Sequence, residues 1–268
     1  MIGVALSIWL GTRAKACELA LLLAVDVSGS VDRNEYAIQM QGLAAGLRDP
    51  VVSETLVRAK AQVAIMQWTG ASRQDLSLPW TGVSTFSGLD ALADQVAGLP
   101  RAWRNYATAI GEAEVFALRQ MKDVSNCTRR VLDISGDGFS NEGIEPSDMR
   151  AAFRAENIQV NALAIEGADE DLSGYFFENL ITGSGAFVVT ANGFEEFPEK
   201  MRQKLRRETT KQLSGLGELP APIDVPPIEA GLRGSRSLNK WNHLSDRFVI
   251  TIFQLAITNL WQIAAPGR

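Results

Sequence analysis

Apolar residues along the chain alternate between short unbroken runs and longer segments in which they recur with helical spacing. The first run, Leu21 to Val25 inside "ELALLLAVD", is continuous enough for a central parallel strand covered on both faces. A helical segment, "RNEYAIQMQGLAAGLRD", follows Asp32, which with Glu35 three residues later forms a capping-box pattern. The pattern then predicts a strand over "AQVAIMQWTG", a polar hairpin region around "SRQDLSLPW", and helices over "FSGLDALADQVAGL" and "ATAIGEAEVFALRQM". Next come a strand at "RVLDIS", a helix near "PSDMRAAFRAEN", a strand "IQVNALAI", a helix near "EDLSGYFFENLI", a short strand "GAFVVT" and a last helix "FEEFPEKMRQKLRRE". Strands alternating with helices across short joints imply an α/β fold. The expectation is a doubly wound, mostly parallel sheet with right-handed crossovers placing helices on both faces.

The two ends of the chain break this rhythm. Residues 1–16 carry an apolar stretch from Ile2 to Leu10 and then Ala14-Lys15-Ala16, a small-x-small cleavage pattern, and read as a signal peptide. The apolar stretch is too short to span a bilayer. From residue 213 to 246 the chain turns rich in proline and glycine and reads as a linker. Residues 247–268 form an apolar segment interrupted by Thr251, Gln254, Thr258, Asn259 and Gln262, which makes a membrane contact doubtful. The domain proper is expected over 17–212.

Composition narrows the function. The 268 residues are 46% hydrophobic and 21% charged, a globular balance that supports one sizeable core. A net charge of −5 argues against nucleic acid, whose phosphates require a basic face. The two cysteines, Cys17 and Cys127, each precede an apolar strand that ends near an aspartate, nine residues before Asp26 and ten before Asp137. If those strands are parallel neighbours, both cysteines lie at the opposite edge of the sheet, where a disulfide is geometrically reasonable and fits an oxidising compartment.

In a doubly wound sheet, ligands bind beyond the carboxyl ends of the strands, where the strand order reverses. Asp26, Ser28 and Ser30 of "DVSGS" and Asp137 of "ISGDG" would project there. Thr108 in "NYATAIGEAE", expected at a helix start, reaches the same rim. Two carboxylates and three hydroxyls suit a hard divalent cation, Mg²⁺ or Mn²⁺. Zinc is disfavoured because the single histidine, His243, lies in the remote tail. Asp133 sits four residues before Asp137, inside its strand and below the rim.

These residues resemble a known family. "DVSGS" matches the Asp-x-Ser-x-Ser signature of the von Willebrand factor A (vWA) domain, and Thr108 and Asp137 match the other two elements of its metal ion-dependent adhesion site (MIDAS). The stretch from "LALLLAVDVSGSVD" through "RRVLDISGDG" is similar to an exported bacterial branch of that family, and the likeness spans about residues 18 to 208. One departure is Gly136, since many members read Thr-Asp-Gly where this chain has Gly-Asp-Gly. The resemblance implies a Rossmann-like vWA fold and binding rather than turnover. A cation held by Asp26, Ser28, Ser30, Thr108 and Asp137 would draw an acidic side chain from an unknown protein partner. It also implies coupling to displacement of the last helix, Phe194 to Glu208.

Other classes remain open on the sequence alone. A Mg²⁺-dependent hydrolase or phosphotransfer enzyme could use strand-end aspartates. Against it, the chain has no phosphate loop, no dinucleotide fingerprint and no Ser/His/Asp set. An exported structural domain with a merely stabilising metal is the third reading. Trp68, Trp80 and Trp103 read as packing rather than a ligand groove, and "EKMRQKLRRETTK" reads as a solvated helix face.

Overall fold

A computed structural model describes residues 17–167 and 171–215, with side chains to residue 210. The leader expected at 1–16 and the apolar segment expected at 247–268 lie outside these residues, as does nearly all of the 213–246 stretch. Six strands form one sheet: β1 (Leu19–Asp26), β2 (Gln62–Trp68), β3 (Gln74–Gly82), β4 (Arg129–Gly136), β5 (Ile158–Glu166) and β6 (Val188–Asn192), in the order β3-β2-β1-β4-β5-β6. All neighbours are parallel except β2 and β3, which the polar hairpin joins antiparallel at the edge. Among the described residues seven α-helices accompany them: α1 (Arg33–Leu47), α2 (Pro50–Arg58), α3 (Phe86–Gly98), α4 (Ile110–Gln120), α5 (Pro146–Ala155), α6 (Leu172–Asn179) and α7 (Phe197–Gly215). This is the doubly wound α/β fold that the alternation predicts.

The apolar run of β1 has both faces covered. Leu19, Leu21, Leu23 and Val25 pack with residues of α1, α3 and α7, including Leu43, Leu92, Phe197 and Met201. Ala20, Leu22 and Ala24 pack on the other face with Ile110 and Ala113 of α4, Phe153 of α5 and Phe176 of α6. Alternate residues of one strand therefore feed two separate cores, which is why the run is unbroken rather than amphipathic. Trp68 is fully buried, Trp80 and Trp103 pack against the cores, and the Trp80 indole donates to the Gln120 carbonyl at 3.2 Å.

Three features depart from the sequence pattern. Helix α2 was not anticipated. Its signals are Asp49, whose carboxylate caps the Val51 and Val52 N–H groups, and Pro50 in the first turn, where a missing N–H costs nothing. Helix α4 starts at Ile110, so Thr108 lies in the loop before it. The last helix continues to Gly215, into the stretch from residue 213 read as linker, and its inner face is not solvated: Lys204, Glu208 and Thr209 are buried. The Lys204 ammonium contacts Asp133 of β4 and sits 3.0 Å from Glu208, whose carboxylate also accepts from Asn161 of β5 at 2.7 Å.

At the amino edge of the sheet Cys17 and Cys127 form a disulfide, with Cα atoms 4.4 Å apart. The Thr128 N–H donates to the Cys17 carbonyl at 2.9 Å, so the bridge extends the β1–β4 ladder by one step. Among the described residues no helix is long and apolar enough to cross a membrane.

Candidate metal centre

Strand order reverses between β1 and β4, and the site forms where these two strands end. Asp26 is the last residue of β1 and is wholly buried. Its Oδ1 accepts the Ser28 N–H at 2.7 Å, while its Oδ2 has no hydrogen-bond partner. The buried Ser28 hydroxyl lies 3.1 Å from that of exposed Ser30, which in turn donates to Asp137 Oδ1 at 2.7 Å. Asp137 follows directly on β4, and a Cβ added to Gly136 would stand 3.2 Å from Asp26 Oδ2. The glycine that departs from the usual Thr-Asp-Gly thus lets the end of β4 approach the Asp26 carboxylate closely.

Thr108 comes from a third loop, laced to the second. Its N–H donates to Asn141 Oδ1 and its carbonyl accepts the Asn141 N–H, both at 2.9 Å. The cap position of α4 is Ala109, with no side-chain cap bond, so Thr108 does not serve as the cap. A methyl at Gly138 would sit 3.9 Å from the Thr108 hydroxyl, which places that hydroxyl beside the Asp137 loop. The structure thus gathers Asp26, Ser28, Ser30 and Asp137 through hydrogen bonds and close approach, and sets Thr108 at their edge. Asp133 faces α7 instead.

Two supports went unrecognised in the sequence. Arg101 Nη2 donates to the carbonyls of Val27 and Ser28 at 3.0 and 2.8 Å, clamping the Asp-x-Ser-x-Ser loop from outside. The Gly29 N–H donates to the Tyr106 carbonyl at 2.8 Å, tying this loop to the one that carries Thr108. No motif marks Arg101 or Tyr106, because both meet the loop at its backbone groups, from positions distant in sequence. Beyond Ser30, Asp32 closes the capping box of α1 with Glu35, fixing where the loop must end.

The electrostatics follow from burial. Desolvation, then the neighbouring Asp137 carboxylate, push the Asp26 carboxyl up to about 8 against the Ser28 N–H and hydroxyl, which favour its charged form. Burial also raises Asp137, opposed by the Ser30 hydroxyl. Among the described residues neither carboxylate is ion-paired, and the positive field that reaches both comes from Arg101. Among the described residues no group of three or more His, Cys, Asp and Glu side chains stands together, so a cation here depends on hydroxyl oxygens as well. An oxygen-only set with an orphaned buried carboxylate oxygen fits a hard divalent ion.

A family model described as "Protein of unknown function (DUF1194)" matches residues 16–213. No curated protein matches the chain. Solved structures share the fold. Proximal thread matrix protein 1 from the mussel byssus, in a structure with a zinc-occupied MIDAS motif, is 15% identical over 73% of this chain and 46% of that one, with a TM-score of 0.55. A von Willebrand factor type A protein from Catenulispora acidiphila is 17% identical over 72% of this chain and 43% of its own, with a TM-score of 0.53. The pilus adhesin SpaC from Lactobacillus rhamnosus GG is 11% identical over 72% and 31%, with a TM-score of 0.54. The chain spans less than half the length of each of these three proteins, and the fold it shares with them is that of the vWA domain.

Proposed function

This chain belongs to the DUF1194 family and has a vWA fold, and we propose that it is an exported, metal-dependent protein-binding domain with a MIDAS-type site. The observation that carries this reading is the wholly buried Asp26 carboxylate, with one oxygen lacking a partner, set against Asp137 and a chain of serine hydroxyls. Asp26 and Asp137 supply the charge, and Ser28, Ser30 and Thr108 supply neutral oxygens. Arg101 holds the first loop through the Val27 and Ser28 carbonyls, which supports the placing of the Ser28 and Ser30 hydroxyls. A Mg²⁺ or Mn²⁺ held by these residues would supply Lewis acidity, which would attract an acidic side chain of the partner.

The surroundings suit a protein partner. Beside the loop lies a hollow of about 380 Å³ whose lining includes Arg33, Arg101 and Arg104, a positive border for an acidic ligand. Exposed Tyr106 and Phe139 flank the loops that carry Thr108 and Asp137, and such aromatics are favoured anchors in protein interfaces. The zinc-occupied motif of the mussel protein and the adhesin assignment of SpaC support the same class of function. The disulfide supports an oxidising compartment.

Calorimetric titration of the full chain with Mg²⁺ and Mn²⁺ tests the site. Saturable binding that Asp26→Ala and Ser28→Ala abolish, with the circular dichroism spectrum unchanged, is the expected result. Heat of binding that survives both substitutions would place the cation elsewhere and remove the basis for this reading.

A further inference from the structure

The amino end of the sheet, opposite the metal centre, holds a cavity of about 700 Å³ beyond the starts of β4 and β5. Its lining includes Arg129 and Arg130 of β4 and Arg150 and Arg154 of α5, and no aspartate or glutamate. In a chain of net charge −5, this is a local concentration of positive charge that folding has gathered from two separate elements.

The four guanidinium groups are held mainly by neutral oxygens. Arg129 donates to the Glu208 carbonyl at 2.7 Å and to Gln159 Oε1 at 3.1 Å. Arg150 donates to the Glu178 carbonyl at 2.6 Å, and Arg154 to the Thr182 hydroxyl at 3.3 Å. Arg130 meets the Glu156 carbonyl and lies 3.8 Å from the half-exposed Glu156 carboxylate. That carboxylate is the only one ion-paired with any of the four among the described residues. The acid groups nearby do not neutralise the rest. The Glu208 carboxylate is engaged by Lys204 and Asn161, and burial pushes the Glu114 carboxyl well above its ordinary range against the opposing field of Arg150.

Neutral partners fix the direction of Arg129, Arg150 and Arg154 without cancelling their charge, and burial lowers the Arg129 guanidinium from its ordinary value. Several oriented guanidinium forks around one hollow match the oxygens of a phosphate group bidentately. The wall is completed by the Thr182–Gly185 loop, where Gly183 at φ +98° and Gly185 at φ +69° adopt left-handed backbone and keep side chains small beside the arginines.

We propose that this cavity is a second binding site, specific for a ligand bearing multiply charged phosphate, independent of the metal centre. The phosphate belongs either to a soluble small molecule or to a lipid headgroup, and the shared chemistry is the tetrahedral oxyanion.

The test uses the full chain in chelator, so that the metal centre takes no part. Pyrophosphate is titrated calorimetrically into the native chain, Arg154→Gln, Arg150→Gln/Arg154→Gln and Asp26→Ala. Saturable binding to the native chain and to Asp26→Ala is expected, about tenfold or more weaker in each arginine variant because a charge-assisted hydrogen bond is lost. Both substituted arginines donate only to neutral oxygens, and unchanged thermal unfolding checks that the fold persists. Flotation with phosphatidylcholine vesicles containing phosphatidic acid, whose phosphomonoester carries more than one charge, assigns the phosphate to a lipid if the chain floats and pyrophosphate releases it, and to a soluble ligand if it does not float. Absence of saturable pyrophosphate binding to the native chain overturns the proposal, and so does binding of equal strength in the double arginine variant.

Discussion

At the scale of single residues, Asp26 is the unusual group. A buried carboxylate oxygen without a partner destabilises the fold, and here a second carboxylate lies nearby. Asp26→Asn keeps an oxygen to accept the Ser28 N–H while removing the charge. In chelator this variant should be more stable than the native chain by about 1 kcal/mol or more, raising the melting temperature by roughly 2–4 °C for a domain of this size. Added Mg²⁺ should raise the native melting temperature by mass action and leave Asp26→Asn where it was. A variant less stable than the native chain in chelator would mean that the carboxylate is already compensated. The motif residues could be found in the sequence because short side chains at strand ends leave a spacing signature. Arg101 and Asn141 could not, since they hold the site by grasping carbonyls and N–H groups that every residue possesses.

At the scale of elements, the joint between α7 and the sheet is ionic as well as apolar. Lys204 brings its ammonium to Asp133 of β4 and to Glu208 of α7 itself, with Asn161 of β5 closing the cluster and Arg129 bonding the Glu208 carbonyl. Burial first, then the Glu208 carboxylate, push the Asp133 carboxyl up to about 7 against the pull of Lys204. A folded value above the unfolded one means that the folded chain holds a proton the unfolded chain has released. Stability therefore falls as pH rises from near 4 and levels off above about 7. Between pH 6 and 7 this group should remove about 1 kcal/mol. Urea unfolding in chelator at pH 6, 7 and 8 reads the slope. Asp26 and Asp137 tilt it in the same direction, so Asp133's share is the part that disappears in Asp133→Asn; identical slopes in the two chains would assign it no share. Strands and most helices were legible because burial on both faces leaves continuous apolar runs. The buried side of α7 was not, because a lysine and a glutamate fill positions where periodicity looks for leucine, and α2 was lost because its cap lies directly against the end of α1.

At the scale of the whole molecule, one pair of strands links both ends of the sheet. β1 and β4 are joined by the disulfide at their amino ends and open into Asp26 and Asp137 at their carboxyl ends, nine residues from Cys17 and so about 30 Å away at the rise of a strand. Between the ends lies a continuous parallel ladder, Leu19 against Arg129 through Val25 against Ser135. The bridge closes a loop of 110 residues, and in the chain-entropy account most of its effect falls on the unfolded ensemble. Cys17→Ser/Cys127→Ser should therefore lose up to about 5 kcal/mol in denaturant unfolding. Metal affinity should stay within about twofold of the native value, since separated sites that share no partner combine nearly additively. A large loss of Mg²⁺ affinity in a variant that is still folded would show that the ladder does not hold its far end unaided. The arginine cavity gives the contrasting expectation, because Thr128 in its wall follows Cys127 directly and its N–H bonds the Cys17 carbonyl. Pyrophosphate binding should therefore weaken in the same variant that leaves the metal centre intact, and measuring both ligands on one sample separates the two ends of the molecule.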